Sequence, residues 1–360
     1  MNDLSEIISA PVADTLQRPL RDLRISVTDR CNLRCIYCMP RAVFGKDHMF
    51  LPRAALLSFE EIARLARAFI ALGAQKIRLT GGEPLLRRNI DQLIAMLAKL
   101  RTPVGKPVEV TLTTNGVLLS EKAQALKDAG LSRISVSLDG LTEETFRRMS
   151  DANVPVGTVL EGIAAAQRAG FANIKVNMVV RRGANDHEII PMAEYFRAEN
   201  FQGRNIVLRF IEYMDVGNTN GWRLDEVVTA QQILELLASQ YSVRPIKPSH
   251  LGEVAERWRY KDGGGEIGVI ASITRAFCQD CTRARLSTDG KLYTCLFATS
   301  GADLRTPMRE GAADAALTRL IANCWQQRND RYSQLRQAAT EASITGSSDA
   351  NKIEMSYIGG

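Results

Sequence analysis

Apolar residues recur along this chain in two alternating rhythms. Asp22-Leu23-Arg24-Ile25-Ser26-Val27 switches between polar and apolar at every step, the period of a half-buried strand. A helical rhythm opens at Ser58, where Glu61 three residues on makes a capping box. Ile62, Leu65, Ala66 and Phe69 form its apolar stripe, and Gly73 closes it. A strand pattern over 76–80 then runs into Gly81-Gly82-Glu83-Pro84, with a helix predicted over about 88–100. The unit repeats: strands over 108–113, 133–138, 173–180 and 205–211 alternate with helices over 120–129, 142–149, 157–169 and 187–199.

Six strands alternating with helices predict an α/β fold with a parallel sheet. Six units are too few for the usual eight-fold barrel, so the expected architecture is an incomplete (βα)6 TIM-like barrel. Past about residue 216 the rhythm changes. Helical patterns at 229–240 and 314–325 flank a glycine-bearing, strand-like region over 254–297, predicted as a segment covering the open side. Gly263-Gly264-Gly265 reads as a hairpin turn, because no helix start follows it. The expected organisation is a loose arm over 1–20, a partial barrel over 21–216 and a C-terminal region over 217–360.

In such barrels chemistry collects at the C-terminal ends of the strands. The cysteine-rich loop after the first strand falls there, as do Gly81-Gly82-Glu83-Pro84, Thr113-Thr114-Asn115-Gly116, Asp139 and Glu212-Tyr213-Met214-Asp215. Composition narrows the class without naming it. The chain has 360 residues, 45% hydrophobic and 24% charged, which suits a globular core. Its net charge of +6 is scattered and not gathered into a Lys/Arg run, which favours a small polyanion over nucleic acid. No apolar stretch is long enough for a bilayer, and the start lacks a secretory pattern. With seven clustered cysteines, this predicts a cytoplasmic, reducing location.

The cysteines carry the chemistry. Cys31, Cys35 and Cys38 fall within eight residues, a density packing does not require but a soft metal centre does. Three thiolates leave one iron of a four-iron cluster open for a further ligand, by the logic of open catalytic metal sites. The competing reading is a zinc site with a distant fourth ligand; none of the three histidines stands at a finger spacing. Cys278 and Cys281 form a second pair, with Cys295 following after thirteen intervening residues across an Asp289-Gly290 turn. Taken alone, that set fits zinc and iron–sulfur about equally. The first set tips the balance toward two open clusters. Arg283 and Arg285 stand at strand spacing just past Cys281, suited to phosphate oxygens. Cys324 shares a stripe with Leu317, Leu320 and Ile321 and reads as core.

Cys31/Cys35/Cys38 with Tyr37 before the last cysteine, together with Gly81-Gly82-Glu83-Pro84, resembles the radical S-adenosylmethionine superfamily. Leu23-Arg24-Ile25-Ser26, Thr113-Thr114-Asn115-Gly116, Val136-Ser137-Leu138-Asp139, Arg209 to Met214, the second cysteine set with Arg283-Ala284-Arg285, and terminal Gly359-Gly360 extend the likeness. Together they resemble the GTP 3′,8-cyclase family of molybdenum cofactor biosynthesis, with Thr282 where that family more often has Asn. The resemblance implies two 4Fe–4S clusters, on Cys31, Cys35 and Cys38 and on Cys278, Cys281 and Cys295. It implies that a 5′-deoxyadenosyl radical takes the ribose C3′ hydrogen of GTP and that the C3′ radical attacks guanine C8. By motif position, Tyr37, Gly82, Ser137 and Met214 would contact S-adenosylmethionine, and Arg24, Arg78, Thr113, Lys175, Arg283 and Arg285 would contact GTP. Gly359 and Gly360 would thread into the site and aid catalysis. The implied partners are GTP, S-adenosylmethionine, a reducing electron donor and cyclic pyranopterin monophosphate synthase, with no nucleic acid or membrane; a homodimer is one open option. The alternative within the superfamily is a peptide-modifying enzyme with an auxiliary cluster.

Overall fold

The structure, a computed structural model, describes residues 11–249, 252–341 and 352–359. Gly360 and residues 1–10 of the expected arm lie outside the described residues. Strands β1 (Asp22–Ser26), β2 (Lys76–Thr80), β3 (Glu109–Thr114), β4 (Arg133–Ser137), β5 (Ile174–Val180) and β6 (Ile206–Glu212) lie parallel and adjacent in chain order. Their crossovers carry α1 (Phe59–Ala71), α2 (Ile90–Ala98), α3 (Leu119–Asp128), α4 (Glu143–Ser150) with α5 (Val156–Arg168), and α6 (Ile189–Phe201). At α1 the predicted cap is made: Ser58 Oγ accepts from the Glu61 N–H at 3.1 Å, and Glu61 accepts from the Ser58 N–H at 2.8 Å.

Strand alternation divides the residues between two environments. Leu23, Ile25, Ile77, Leu79, Val110, Leu112, Val136, Val176, Leu208 and Phe210 belong to the aliphatic core shared with the helices. The alternate positions, among them Arg24, Arg78, Thr113, Ser137, Asn177 and Arg209, line the barrel's interior cavity. These six strand positions are polar, and three of them are arginines.

The C-terminal region does more than cover the open side. It contains α7 (Ala230–Gln240), β7 (Val243–Ile246), β8 (Glu256–Tyr260), β9 (Glu266–Ile270), β10 (Arg283–Leu286), β11 (Lys291–Tyr293), β12 (Ala302–Asp303), α8 (Arg305–Arg309), α9 (Asp314–Gln326), α10 (Tyr332–Glu341) and α11 (Met355–Ile358). Of these, β9 joins β6 in parallel and β10 joins β1 in parallel, so both edges of the six-stranded unit are extended. The resulting sheet runs β12-β11-β10-β1-β2-β3-β4-β5-β6-β9-β8-β7 and stays open. Asp289-Gly290 turns β10 into β11, and Gly263-Gly264-Gly265 turns β8 into β9, as the sequence predicts.

The loose-arm expectation needs correcting for residues 11–20. Val12 donates to the Leu72 carbonyl at 3.1 Å, Leu20 to the Val12 carbonyl at 3.0 Å, and Leu20 is fully buried. The segment lacks a period because it packs as an irregular strip and not as an element. Its polar side chains Asp14 and Arg18 are buried and paired at 2.6 Å.

Glu212, at the end of β6, joins barrel to C-terminal region. Its fully buried carboxylate accepts from the N–H groups of Ala230 (2.6 Å), Ile273 (2.6 Å) and Thr274 (2.9 Å), and from the Thr274 hydroxyl (2.6 Å). One charged acceptor thus fixes the start of α7 and the approach to the second cysteine loop. Glu212→Ala would leave those buried donors unmade and is expected to remove about 3 kcal/mol of stability or more. Denaturant midpoints will check this. A loss no larger than that from Glu121→Ala, on the exposed side of α3, would show that water replaces the carboxylate.

Candidate active site at the barrel mouth

Two loops close on each other at the top of β1 and β2. Gly81 has φ of +148° and a Cβ there would lie 2.5 Å from the Thr28 carbonyl oxygen. A Cβ on Gly82 would lie 2.5 Å from the Arg30 carbonyl carbon. With no side chains in the way, Gly82 donates to the Thr28 carbonyl and Glu83 to the Arg30 carbonyl, both at 2.8 Å. The glycines therefore let the backbone that leads into Cys31 lie against the β2 loop. Glu83, fully buried, accepts from Leu85 N–H (2.9 Å), Asn115 N–H (2.8 Å) and Thr114 Oγ1 (2.8 Å), binding the loops after β2 and β3 together. Burial nonetheless pushes its carboxyl up to about 7.

Cys31, Cys35 and Cys38 open into the same cavity as Cys278, Cys281 and Cys295. All seven cysteines are free thiols. Cys278 and Cys281 precede β10 and Cys295 follows β11, so the hairpin brings its two ends together. Backbone N–H groups point at sulfur in both sets, Leu33 to Cys31 and Phe297 to Cys295, each at 3.4 Å. Burial, then Glu83, raises the metal-free Cys31 thiol to about 11, and burial, then Asp330, raises Cys295 to about 11. Cys281 goes the other way: burial raises it, but Arg283 and Arg328 prevail and hold it at about 6. Among the described residues no three His, Cys, Asp or Glu groups stand at single-ion spacing. Two sets of three free thiols on one cavity, served by N–H donors, fit two thiolate-held polynuclear clusters better than lone zinc ions. Cys324 lines no part of this cavity and packs at the edge of the core.

Between the cysteine sets stand the arginines. In register, Arg285 pairs with Arg24 and Arg24 with Arg78 across three parallel strands, with Arg283 beside Asp22 one step lower. Burial, then Arg285, Arg283 and Arg78, drives Arg24 well below the usual guanidinium range. The Nε atoms of Arg24 and Arg78 are buried with no acceptor among the described residues. Arg78 reaches Thr113 Oγ1 at 2.9 Å and Ser135 Oγ at 3.3 Å. Asp22 answers the charge from below, paired to Lys76 at 2.8 Å; burial raises it, yet Lys76, Arg24 and Arg78 bring it to about 2. A buried, under-neutralised row of this kind is built to receive an anion.

The other predicted residues divide. Tyr37, Gly82, Ser137 and Met214 all line the cavity, and Tyr37 donates to Asp139 Oδ2 at 2.7 Å. Burial pushes Asp139 up to about 6. Lys175 is not among the lining residues. It lies two positions below Asn177 on the same face of β5, and burial, then Arg209 and Arg133, lowers it to about 7. Gly359 is buried against Thr80, has φ of +78° and accepts at its carbonyl from Arg285. Its segment is held by Lys352 on Asp215 (3.0 Å) and by the Asn218 N–H on Glu354 (3.0 Å), while Met355 and Ser356 line the cavity. Gly360 lies outside the described residues.

Sequence reasoning placed Glu83, Asp139 and Glu212 at the rim without giving them roles. It gave no role to Asn177 or to Arg209, which also line the cavity and are joined at 2.6 Å. Strand alternation with Ile211 carried the signal for Arg209. Nothing local marked Arg328, which comes from the loop after α9.

Gly82→Ala would force the two loops apart and is expected to lower the melting temperature by several degrees and weaken iron retention by the first cysteine set. Thermal unfolding and iron content check this. A variant melting with the parent and holding equal iron would mean that the close approach is dispensable.

Residues 25–196 match the family model described as Radical SAM superfamily, and residues 206–334 that described as Molybdenum Cofactor Synthesis C. A protein of Acidothermus cellulolyticus named GTP 3′,8-cyclase is 51% identical over 371 residues, covering 98% of this chain and 100% of the relative. A GTP 3′,8-cyclase of Staphylococcus haemolyticus is 47% identical, covering 98% of this chain and 99% of the relative. The solved structure of Streptococcus suis SuiB bound to S-adenosylmethionine matches with a TM-score of 0.58 at 13% identity, over 89% of this chain and 68% of that one, a likeness of fold alone.

Proposed function

The chain belongs to the GTP 3′,8-cyclase family of radical S-adenosylmethionine enzymes, and from that premise we propose how its own residues carry out the cyclisation. Its reaction is the cyclisation of GTP in molybdenum cofactor synthesis, with two 4Fe–4S clusters and S-adenosylmethionine as cofactors. The observation that carries the site assignment is the shared cavity: both cysteine sets and the arginine row open into one space.

Cys31, Cys35 and Cys38 hold one cluster, and Cys278, Cys281 and Cys295 the other. When bound, these groups supply an electron, two open iron positions and, from S-adenosylmethionine, a radical able to take hydrogen from C3′ of the ribose. The chain does the positioning. Tyr37, Gly82, Ser137 and Met214 bind S-adenosylmethionine near the first set. Arg24, Arg78, Arg283 and Arg285 take the triphosphate, with Thr113 fixing Arg78 and Lys175 adding charge from below. Fixed donors cost little reorganisation when the anion arrives, so the binding energy goes into holding C3′ and C8 within reach of each other. The segment ending at Gly359 closes the cavity and keeps water from the radical. No helix among the described residues is long and apolar enough to cross a membrane. The remaining reading is a cytoplasmic enzyme that takes electrons from a reductant and passes its product to cyclic pyranopterin monophosphate synthase.

Anaerobic turnover of reduced enzyme with 3′-deuterated GTP tests the function. The expected result is deuterium in 5′-deoxyadenosine and a nucleotide isobaric with GTP that no longer releases free guanine on fragmentation. Cys35→Ser should yield neither. Unlabelled 5′-deoxyadenosine with intact GTP would sink the assignment.

Lys175 provides a pH signature. With its free amine lowered to about 7, a triphosphate in the cavity above it would draw the amine back to its charged form, so binding above pH 7 takes up a proton. GTP affinity is expected to fall as pH rises above 7, by up to about tenfold per unit. Titration calorimetry on the parent and on Lys175→Met checks it, and identical slopes in the two would remove Lys175 from the phosphate site.

A further inference from the structure

The segment over 11–20, which carries no periodic signal, meets the second cysteine loop through a buried charge cluster. Asp14 Oδ2 pairs with Arg18 Nε at 2.6 Å and with Arg328 Nη1 at 3.4 Å, and all three side chains are at most 2% exposed. Each arginine then donates to the carbonyl of a cysteine in the second set. Arg18 Nη1 reaches the Cys278 carbonyl at 2.7 Å, and Arg328 Nη1 reaches the Cys281 carbonyl at 2.7 Å. Arg18 Nη1 also donates to the Asp330 carbonyl at 2.8 Å, and Thr15 donates through N–H and hydroxyl to the Arg328 carbonyl at 3.3 and 2.7 Å. Trp325 fixes the pair further, its indole N–H on the Arg18 carbonyl at 3.1 Å and its ring 4.6 Å from the Arg328 guanidinium. One nitrogen of Arg18, Nη2, stays buried with no acceptor among the described residues.

We propose that Asp14, Arg18 and Arg328 form a latch that sets the Cys278–Cys281 loop for its cluster, which makes the N-terminal segment part of the second metal centre. The proposal rests on the reading of Cys278, Cys281 and Cys295 as ligands. The physical case is one of cost and direction. Arg18 and Arg328 are buried against Asp14, and Arg328 Nε pairs with Asp330 Oδ2 at 3.3 Å, so a whole set of charges is desolvated where burial is expensive. What that cost secures is the placement of the Cys278 and Cys281 carbonyls, and with them the loop that carries both sulfurs. The forked, planar geometry of arginine presets the directions in which one group binds Asp14 and a ligand carbonyl together, which lysine's rotatable ammonium does not. Arg18 is a positioning residue, acting through the Cys278 backbone, while Arg328 holds the Cys281 carbonyl and also lies against its thiol.

The test is anaerobic reconstitution of full-length Arg18→Ala, Asp14→Asn, Arg18→Lys and Cys281→Ser beside the parent, with iron content and electron paramagnetic resonance of each cluster. The parent should hold about eight irons, four per cluster. Arg18→Ala is expected to drop toward about four, losing the second cluster's signal while the first keeps its signal and still releases 5′-deoxyadenosine. Asp14→Asn and Arg18→Lys should fall between. Full iron with both signals in Arg18→Ala overturns the latch. So does loss of both clusters in equal proportion, since the contact would then be general packing. Cys281→Ser separates the two ideas: if it keeps both signals, the ligand reading fails, whereas loss there with retention in Arg18→Ala condemns the latch alone.

Discussion

Charge repulsion within the barrel is the constraint on which the rest of this structure depends. Arg24 stands between Arg285 and Arg78 in strand register, with Arg283 one step away. Buried like charges disfavour the folded state unless something else holds them together. That something is the opposite face of the same strands. Leu23, Ile25, Ile77, Leu79, Ala284 and Leu286 are buried in the core against helices, so the sheet cannot rotate its arginines outward without exposing the aliphatic set. Asp22 relieves the strain only at the lower end, where it also pairs with Lys76. The unrelieved upper part faces the cavity, where an anion would relieve it.

The two cysteine loops reach that cavity by different physical routes. The first is a close backbone approach, possible because Gly81 and Gly82 lack side chains, and locked by Glu83 across to the β3 loop. The second depends on charged side chains brought from both ends of the chain, Asp14 and Arg18 on one side and Arg328 on the other. Glu212 joins these regions by giving one carboxylate to both α7 and the 273–274 backbone. The C-terminal segment then enters on Asp215 and Asn218 and brings Gly359 to Arg285. Positive φ at Gly359 and its contact with Thr80 explain a glycine there without appeal to chain flexibility.

Much of this was legible in residue order, because the signals are local. The alternation in Asp22 to Ser26, the capping box at Ser58 and the turn at Asp289-Gly290 all act within a few residues. Spacing within Cys31 to Cys38 likewise marks a metal loop before any fold is known. Boundaries slipped by a residue or two, as at α6, read as 187–199 and found at Ile189–Phe201, since helix ends are decided by packing as well as by composition.

By itself, the sequence determined the parallel α/β unit, the two thiol sets and the arginines at strand spacing, since periods of 2 and 3.6 and short ligand spacings are properties of neighbouring residues. Only the tertiary structure decided that β10 pairs with β1 and β9 with β6, which brings the two cysteine sets to one cavity and stacks Arg285 beside Arg24. Likewise it alone turned 11–20 from an unpatterned strip into a buried contact, because Asp14 meets Arg328 across 314 positions of chain. Contacts at such separation leave no period to read; they exist only once the sheet has brought their backbones together.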